Sequence, residues 1–190
     1  MVELPVIAGL AVLIVVILRA FVVQPFYIPS PSMTPQLMVN DKILVSRISY
    51  RLHGVHRGDL VVFNAPPAVR IPGGSHKGPL NWVTTRLGLT PRNDVLVKRV
   101  VGLPGDTVEV RDGHVFINDK LLIEPYLPAG RVTPPTYSAK IVTVPPRHLW
   151  VLGDNRQDSE DSHFFGPIDE HSIIGRAVAR VWPLDKLAFL

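Results

Sequence analysis

The chain has 190 residues and a formal net charge of +4, which leaves room for one membrane segment and one domain, or for a domain with a smaller subdomain. It contains no cysteine, which excludes disulfides, thiolate zinc sites and cysteine nucleophiles. Lys and Arg are scattered along the chain instead of forming a basic stripe with aromatic residues. This pattern argues against nucleic-acid binding.

A short tail, residues 1–3, precedes a mostly apolar stretch over residues 4–23, which is long enough to cross a bilayer as a helix. Arg19 lies near its far end, where a long side chain can reach the lipid interface. A cleaved secretory signal peptide is the alternative. It is disfavoured because residues 1–4 carry no Lys or Arg and no A-x-A-like site follows. We therefore expect a retained transmembrane helix, whose orientation the positive-inside rule does not settle for a long translocated domain.

Short β-rich runs bounded by Gly, Pro and Asp follow the apolar stretch. Strands are predicted over residues 42–47, 59–63, 95–101, 140–144, 148–152 and 175–182. A hairpin is predicted over residues 107–118, because Asp112-Gly113 is a strong turn signal. The pattern predicts a mainly β protein with a closed or nearly closed, barrel-like antiparallel sheet.

Two stretches interrupt this sheet. Residues 65–93 form an insert rich in Pro and Gly, with one or two helical turns predicted over residues 80–87. Trp82 could lie at the lipid headgroups or pack within a solvated loop. Residues 107–146 are predicted to form a small β subdomain, which leaves residues 24–106 and 147–190 for the main β domain.

A lysine and two serines are the candidate reactive groups. Lys98 shares its strand face with Leu96 and Val100, and desolvation there would lower its pKa until the neutral amine could act as a base. The alternative is a lysine that faces water. Ser30 and Ser32 alternate with prolines, so an extended chain would place both hydroxyls on one side, one to attack and one to stabilise an oxyanion. Such Ser-Pro repeats also occur in linkers.

A polar loop over residues 153–166 follows an apolar strand and is dense in hydrogen-bonding groups. It could be a surface turn, or a calcium loop because of Asp154, Asp158 and Asp161. The order of these acids does not match an EF-hand, so no metal site is predicted.

Together these motifs resemble the bacterial type I signal peptidases, membrane-bound serine–lysine proteases that remove leader peptides from exported proteins. The resemblance lies in residues 19–21 with 25–35, then in 57–63, 98–106 and 153–166, four motifs in the family's order. It implies no cofactor, and signal peptides and membrane lipid as partners. It also implies a single-pass protein of the bacterial plasma membrane, with its catalytic domain on the extracytoplasmic side. The sequence does not indicate the oligomeric state.

The resemblance further implies roles for individual residues. Ser32 would be the nucleophile and Lys98 the general base, with the Ser32 backbone N–H and the Ser30 hydroxyl as the oxyanion hole. The residues that would support this dyad are Ser159, Asp161, Asp154 and Arg99, the last two as an ion pair. The apolar walls of the substrate pockets would be Phe26, Ile28, Met33, Leu37, Leu96 and Val97.

Two positions depart from the family pattern. Gln36 replaces a usual threonine, and His163 replaces an arginine that many members carry, which raises the alternative of a serine–histidine dyad. Two other functions stay open. Another serine–lysine hydrolase, such as a self-cleaving regulator, would lack the membrane helix and carry its own scissile segment. A non-enzymatic, membrane-tethered β domain would need neither Ser32 nor Lys98.

Overall fold

The computed structural model describes residues 6–10, 22–67, 69, 95–134 and 141–190. Most of the predicted membrane helix lies outside these ranges, as do most of the insert, its predicted helical turn and Trp82. Residues 6–10 are helical and exposed. None of the helices within the described ranges has both the length and the apolar character that a bilayer crossing requires.

The predicted membrane helix cannot extend to residue 23 as expected. Val22 lies in a turn, and Val23 begins a strand in which it pairs with Ser46. This strand was not predicted, because its sequence contains Pro25 and continues an apolar run. Proline is tolerated there since the strand lies at a sheet edge.

The predicted mainly β, antiparallel fold is confirmed for the described residues. The strands are β1 (Val23–Tyr27), β2 (Lys42–Ser46), β3 (Leu60–Asn64), β4 (Val95–Gly102), β5 (Thr107–Arg111), β6 (His114–Ile117), β7 (Lys120–Leu121), β8 (Val142–Thr143), β9 (His148–Leu152), β10 (Ile168–Asp169), β11 (Ile173–Trp182) and β12 (Ala188–Phe189). The main sheet has the order β1-β2-β11-β3-β4-β9-β10, and β12 pairs with β11. Within the described ranges, β1 and β10 are the two edge strands and do not pair with each other, so the sheet is open between them.

A second sheet has the order β7-β6-β5-β8. Its β5–β6 hairpin turns at Asp112 and Gly113, whose φ angles of 52° and 78° are those of the predicted tight turn. Valines of this hairpin pack with Val101 and Leu152 of the main sheet. Where β4 reaches this core, Gly102 has no room for a side chain, because an added Cβ would lie 2.8 Å from Val108 Cγ2.

The helices of the described part are short. Besides the helical residues 6–10, they are α1 (Ser49–Leu52), α2 (Ser162–Phe165) and the 3₁₀ turns Pro31–Met33, Glu170–Ser172 and Leu184–Lys186. The turn Pro31–Met33 rests on a buried apolar cluster, formed by Phe26, Ile28, Met33, Leu37, Ile43, Val45, Leu60, Val62 and Ala177. This cluster fixes the serine-bearing turn relative to β2, β3 and β11.

Candidate active site

One cleft has a volume of about 630 Å³. Residues 26–33, from the end of β1 to the first 3₁₀ turn, line one side, and residues 95–98 at the beginning of β4 line the other. Ser32 lines one side of this active-site cleft and Lys98 the other. The two predicted reactive residues are 66 positions apart in the sequence (98 − 32), and the antiparallel sheet brings them to one cavity.

Ser32 occupies the middle of the 3₁₀ turn Pro31–Met33 and is 9% exposed. An extended segment was predicted here. Ser30 is extended, with φ −127° and ψ 155°, and so is Thr34, but Pro31–Met33 between them form a turn. Pro31 begins the turn because its fixed φ suits the first helical position and the missing N–H is not needed there. The two hydroxyls nevertheless lie on one side, with 3.3 Å between Ser30 Oγ and Ser32 Oγ.

Lys98 is 1% exposed, so the alternative of a lysine facing water is wrong. It pairs with Val61 of β3, and both Leu96 and Val100 of its own face belong to the apolar cluster around Phe63. Burial lowers the pKa of Lys98 to about 8, against the smaller opposing effect of nearby carboxylates, Asp161 first and then Glu160. At pH 8 about half of such amines are neutral, compared with less than about 1% of ordinary lysines.

The loop after β9 binds the backbone of the serine turn. The Asn155 N–H donates to the Ser32 carbonyl at 3.0 Å, and Asn155 Nδ2 donates to the Pro31 carbonyl at 3.3 Å. Gly153 packs against the same place: an added Cβ would lie 2.2 Å from Ser159 Oγ and 2.5 Å from the Ser32 oxygen. Only glycine fits this approach, so the loop and the turn form one unit.

The Asp161 carboxylate accepts hydrogen bonds from the beginning of this loop, at Gly153, and from its end, at His163. It is fully buried, and its Oδ2 accepts from the Gly153 N–H at 3.0 Å. Its Oδ1 accepts from the His163 N–H at 3.2 Å, which caps α2. Because Asp161 is also the carboxylate with the largest effect on the pKa of Lys98, its charge acts directly on the amine.

Arg99 and Asp154 form a buried, bidentate ion pair on the other face of β4. Arg99 Nε donates to Asp154 Oδ1 at 2.8 Å, and Nη2 donates to Oδ2 at 2.6 Å. Arg99 Nη1 donates to the Gly58 carbonyl at 2.8 Å, and the guanidinium carbon lies 4.0 Å from the centre of the Tyr126 ring. The edge of the planar guanidinium therefore donates hydrogen bonds, and its face packs against the Tyr126 ring.

Arg156 is a site residue that the sequence pattern did not single out. Its side chain is fully buried, and Nε donates to the Gly153 carbonyl at 3.0 Å. Nη1 donates to Thr133 Oγ1 at 2.7 Å, and both terminal nitrogens donate to the Glu124 carboxylate. Residues between β7 and β8 therefore brace the loop that binds Ser32. The density of polar residues in the loop indicates that hydrogen bonds form there. It does not identify the partners Glu124 and Thr133, which lie more than twenty positions away in the sequence.

The predicted apolar wall is only partly at the cleft. Phe26, Ile28, Met33, Leu96 and Val97 line it, whereas Leu37 is fully buried in the cluster behind the turn. Two further lining residues, Asp158 and Glu160, were not predicted as part of the cleft.

Comparison with known proteins identifies the family. The pattern of the family described as signal peptidase, peptidase S26, matches residues 1–182. A probable signal peptidase I-2 of Synechocystis is 39% identical over 95% of this chain and 72% of its own length. A signal peptidase I of Leptolyngbya laminosa is 41% identical over 96% of this chain and 80% of its own length.

Among solved structures, a signal peptidase I from Enterococcus faecalis is similar, at 26% identity and a TM-score of 0.43, over 64% of this chain and 95% of that one. The family match and the two curated relatives show that the chain belongs to the signal peptidase family, peptidase S26, and is an enzyme of the signal peptidase I type.

Proposed function

We propose that this peptidase cleaves N-terminal signal peptides from exported preproteins, with Ser32 as the nucleophile and Lys98 as the general base. The observation that carries the proposal is a buried amine with a pKa of about 8 in the same cleft as a serine hydroxyl. A base whose pKa lies near the working pH is well suited to accept and return a proton.

The reaction proceeds in two halves. As Ser32 Oγ attacks the scissile carbonyl carbon, its proton passes to the neutral Lys98 amine, and the carbonyl oxygen becomes an oxyanion. The Ser30 hydroxyl and the Ser32 backbone N–H donate to that oxygen. The Lys98 ammonium then protonates the leaving nitrogen as the C–N bond breaks, which leaves an ester on Ser32. Water then attacks the ester carbonyl as Lys98 takes its proton. As the bond to Ser32 Oγ breaks, Lys98 gives that proton to Oγ, the carboxylic acid product leaves and the enzyme is restored.

The bracing groups around the dyad act by position. Ser159 and Asp161 fix the loop beside Lys98, and the Arg99–Asp154 ion pair fixes the next residue of β4. The aliphatic and aromatic walls, Phe26, Ile28, Met33, Leu96 and Val97, accept the small residues that precede the cut in family substrates, and Leu37 supports them from behind.

The substrate backbone has two strand edges to bind. β3 pairs with β4 from Val95 to Arg99, but β9 pairs with β4 only from Arg99 onward. The other edge of Val95–Lys98 therefore carries no partner strand within the described ranges. β1 is likewise an edge strand, paired only with β2 there. An extended peptide can add to these edges while its alternate side chains enter the cleft.

The apolar residues 4–21 form the single membrane span in this proposal, and the catalytic domain lies on the extracytoplasmic side, where signal peptides end. Ser32 follows residue 21, the end of this span, by eleven positions (32 − 21), so the chain between them reaches at most about 40 Å. The nucleophile is thus held close to the lipid surface. Residues 24–106 and 147–190 form the catalytic domain in this proposal, and residues 107–146 the β subdomain.

Paired substitutions test the assignment on the full chain in detergent, with a preprotein as substrate. Ser32→Ala and Lys98→Met are each expected to reduce cleavage to background, while circular dichroism and the melting transition show a folded domain. His163→Gln is the matched control and is expected to stay active. Full activity of either dyad variant contradicts that residue's role. Loss in Ser32→Ala and His163→Gln, with Lys98→Met still active, indicates a serine–histidine dyad. Cleavage of the chain itself, with the preprotein left intact, indicates a self-cleaving hydrolase.

A further inference from the structure

Two carboxylates beside the reactive lysine have no role in the proposed chemistry. Asp158 and Glu160 line the same cleft as Ser32 and Lys98, and both are exposed. Within the part of the chain that the structure describes, neither carboxylate forms a hydrogen bond or an ion pair. Their charges are therefore available to a ligand in the cleft.

Backbone contacts fix both acids relative to the nucleophile. The Asp158 N–H donates to the Asn155 carbonyl at 3.0 Å, and the Asn155 N–H donates to the Ser32 carbonyl at the same distance. Glu160 directly precedes Asp161, whose buried carboxylate holds the Gly153 N–H. The two charges thus belong to the rigid loop that binds the serine turn, although their side chains are exposed.

The cleft is negative when the enzyme is ready to react. Lys98 is the one cationic residue among the described residues that line it, and Lys98 must be neutral to accept the Ser32 proton. The carboxylates of Asp158 and Glu160 then have no compensating charge in the cleft. A positive charge on the substrate would supply it.

Proton transfer decides which part of the substrate meets these acids. Lys98 returns its proton to the leaving nitrogen, so the peptide on the leaving side must pass within reach of the Lys98 amine. In the proposed function, the residues before the cut contact the apolar wall, which includes Leu96 and Val97. Asp158 and Glu160 line the same cleft as Lys98, and their charges act on the amine itself, so they are available to residues on the leaving side of the substrate.

We propose that Asp158 and Glu160 form an acidic subsite that favours Lys or Arg, and disfavours Asp or Glu, among the first residues after the cleaved bond. This inference rests on the proposed function. Exposed pairs of opposite charge contribute little individually, so the expected preference for Lys over Gln is roughly three- to tenfold in kcat/KM at low salt.

Matched peptides test the subsite on the full chain in detergent micelles. The peptides share one signal sequence and carry Lys, Gln or Glu in each of the first three positions after the cut. Measurement at pH 9.5 keeps Lys98 mostly neutral in every variant. The wild type is expected to cleave the Lys peptides fastest and the Glu peptides slowest, and about 0.5 M salt is expected to remove most of the difference.

Variants of the loop separate the subsite from a merely structural role. In Asp158→Asn/Glu160→Gln the three peptides are expected to be cleaved at equal rates, and Glu160→Lys is expected to reverse the order. Asp112→Asn, which removes an exposed carboxylate from the β5–β6 turn, is expected to keep the wild-type order. Glu160→Gln should also lower the pH at which activity rises. Glu160 is one of four acids of this loop, with Asp161, Asp154 and Asp158, whose charges raise the pKa of Lys98.

The outcomes are distinct. A lysine preference that survives unchanged in the double variant overturns the acidic subsite, as does a wild type that cleaves all three peptides equally. Both of these results leave the proposed function intact. A wild type that cleaves none of the peptides, nor a preprotein, overturns the proposed function together with the subsite.

Discussion

Lys98 and Arg99 are neighbours on β4 and both are buried, yet their surroundings differ in kind. Arg99 makes a bidentate contact with the fully buried Asp154 and a third hydrogen bond to Gly58. For Lys98, no carboxylate within the described ranges lies at ion-pair distance, and its strand neighbours of the same face are apolar. The charge of Arg99 is balanced by Asp154, whereas Lys98 has no such partner among the described residues and loses its proton more easily.

Strand alternation produces this difference. Successive residues of β4 point to opposite faces, so one residue meets Asp154 and the other meets the cleft. Desolvation penalises the charged form of both side chains, and a carboxylate in direct contact offsets that penalty. Longer-range carboxylates offset it only in part at Lys98. Direct contact with a carboxylate, more than burial itself, therefore decides which of the two positions holds a permanent charge.

The largest effect is expected when Lys98 is replaced by arginine, the other kind of cation. Lys98→Arg places a group that is always protonated where a neutral amine is needed. We expect kcat/KM to fall by roughly 10³-fold or more, within the range that general-base catalysis contributes. The measurement is preprotein cleavage in detergent across pH 7–10. An arginine variant that retains a tenth of wild-type activity would falsify the requirement for a neutral base.

Breaking the buried pair is expected to cost stability. In Asp154→Asn the guanidinium of Arg99 keeps its burial but loses its counter-charge, so the free energy of unfolding should fall by about 3–5 kcal/mol. Chemical denaturation of the chain in detergent measures this change. Asp112→Asn provides the control, because the same loss of charge at an exposed turn should change stability by less than about 0.5 kcal/mol. Equal effects at the two positions would contradict a structural role for the pair.

Removing the other cation is expected to stabilise the protein. The folded pKa of Lys98 is about 8 and its ordinary value is 10.5, so the unfolded chain binds more protons between these values. Wild-type stability therefore rises with pH over that window. Lys98→Met, which has no proton to bind, should exceed the wild type by on the order of 3 kcal/mol below pH 8 and by progressively less towards pH 10.5. A difference that does not change with pH would contradict the lowered pKa.

The sequence predicts local features of this protein well. The turn at Asp112-Gly113 and the strand around Lys98 follow from turn chemistry and alternation, whereas alternation left two alternatives for Lys98, a buried side chain and one facing water. It predicts less well what depends on neighbours in space. β1 was missed because an edge position, unknown from the sequence, makes Pro25 acceptable.

The same contrast between local features and contacts of distant residues holds for the active site. The Arg99–Asp154 ion pair was implied by the resemblance to the signal peptidases, and the proximity of Ser30 to Ser32 was predicted from their alternation with proline. The contact of Arg156 with Glu124 joins two regions 32 positions apart, and no local pattern predicts it. Glu160 could not be assigned to the cleft because an acidic residue in a polar loop has the same pattern whether it faces bulk water or a substrate.

The most direct measure of the comparison between Lys98 and Arg99 is the pH dependence of activity. If the neutral amine of Lys98 is the base, kcat/KM should rise about tenfold per pH unit below pH 8 and level off above it. Burial lowers the pKa of His163, and its Asp161 neighbour opposes this, so a histidine base would level off below about pH 6.5. An ordinary exposed lysine would level off only above about pH 10. His163→Gln should leave the rise near pH 8 in place, because the proton that controls the reaction is held by Lys98. Among the described residues, no carboxylate is in direct contact with the Lys98 amine, whereas the next residue, Arg99, contacts Asp154 and keeps its charge.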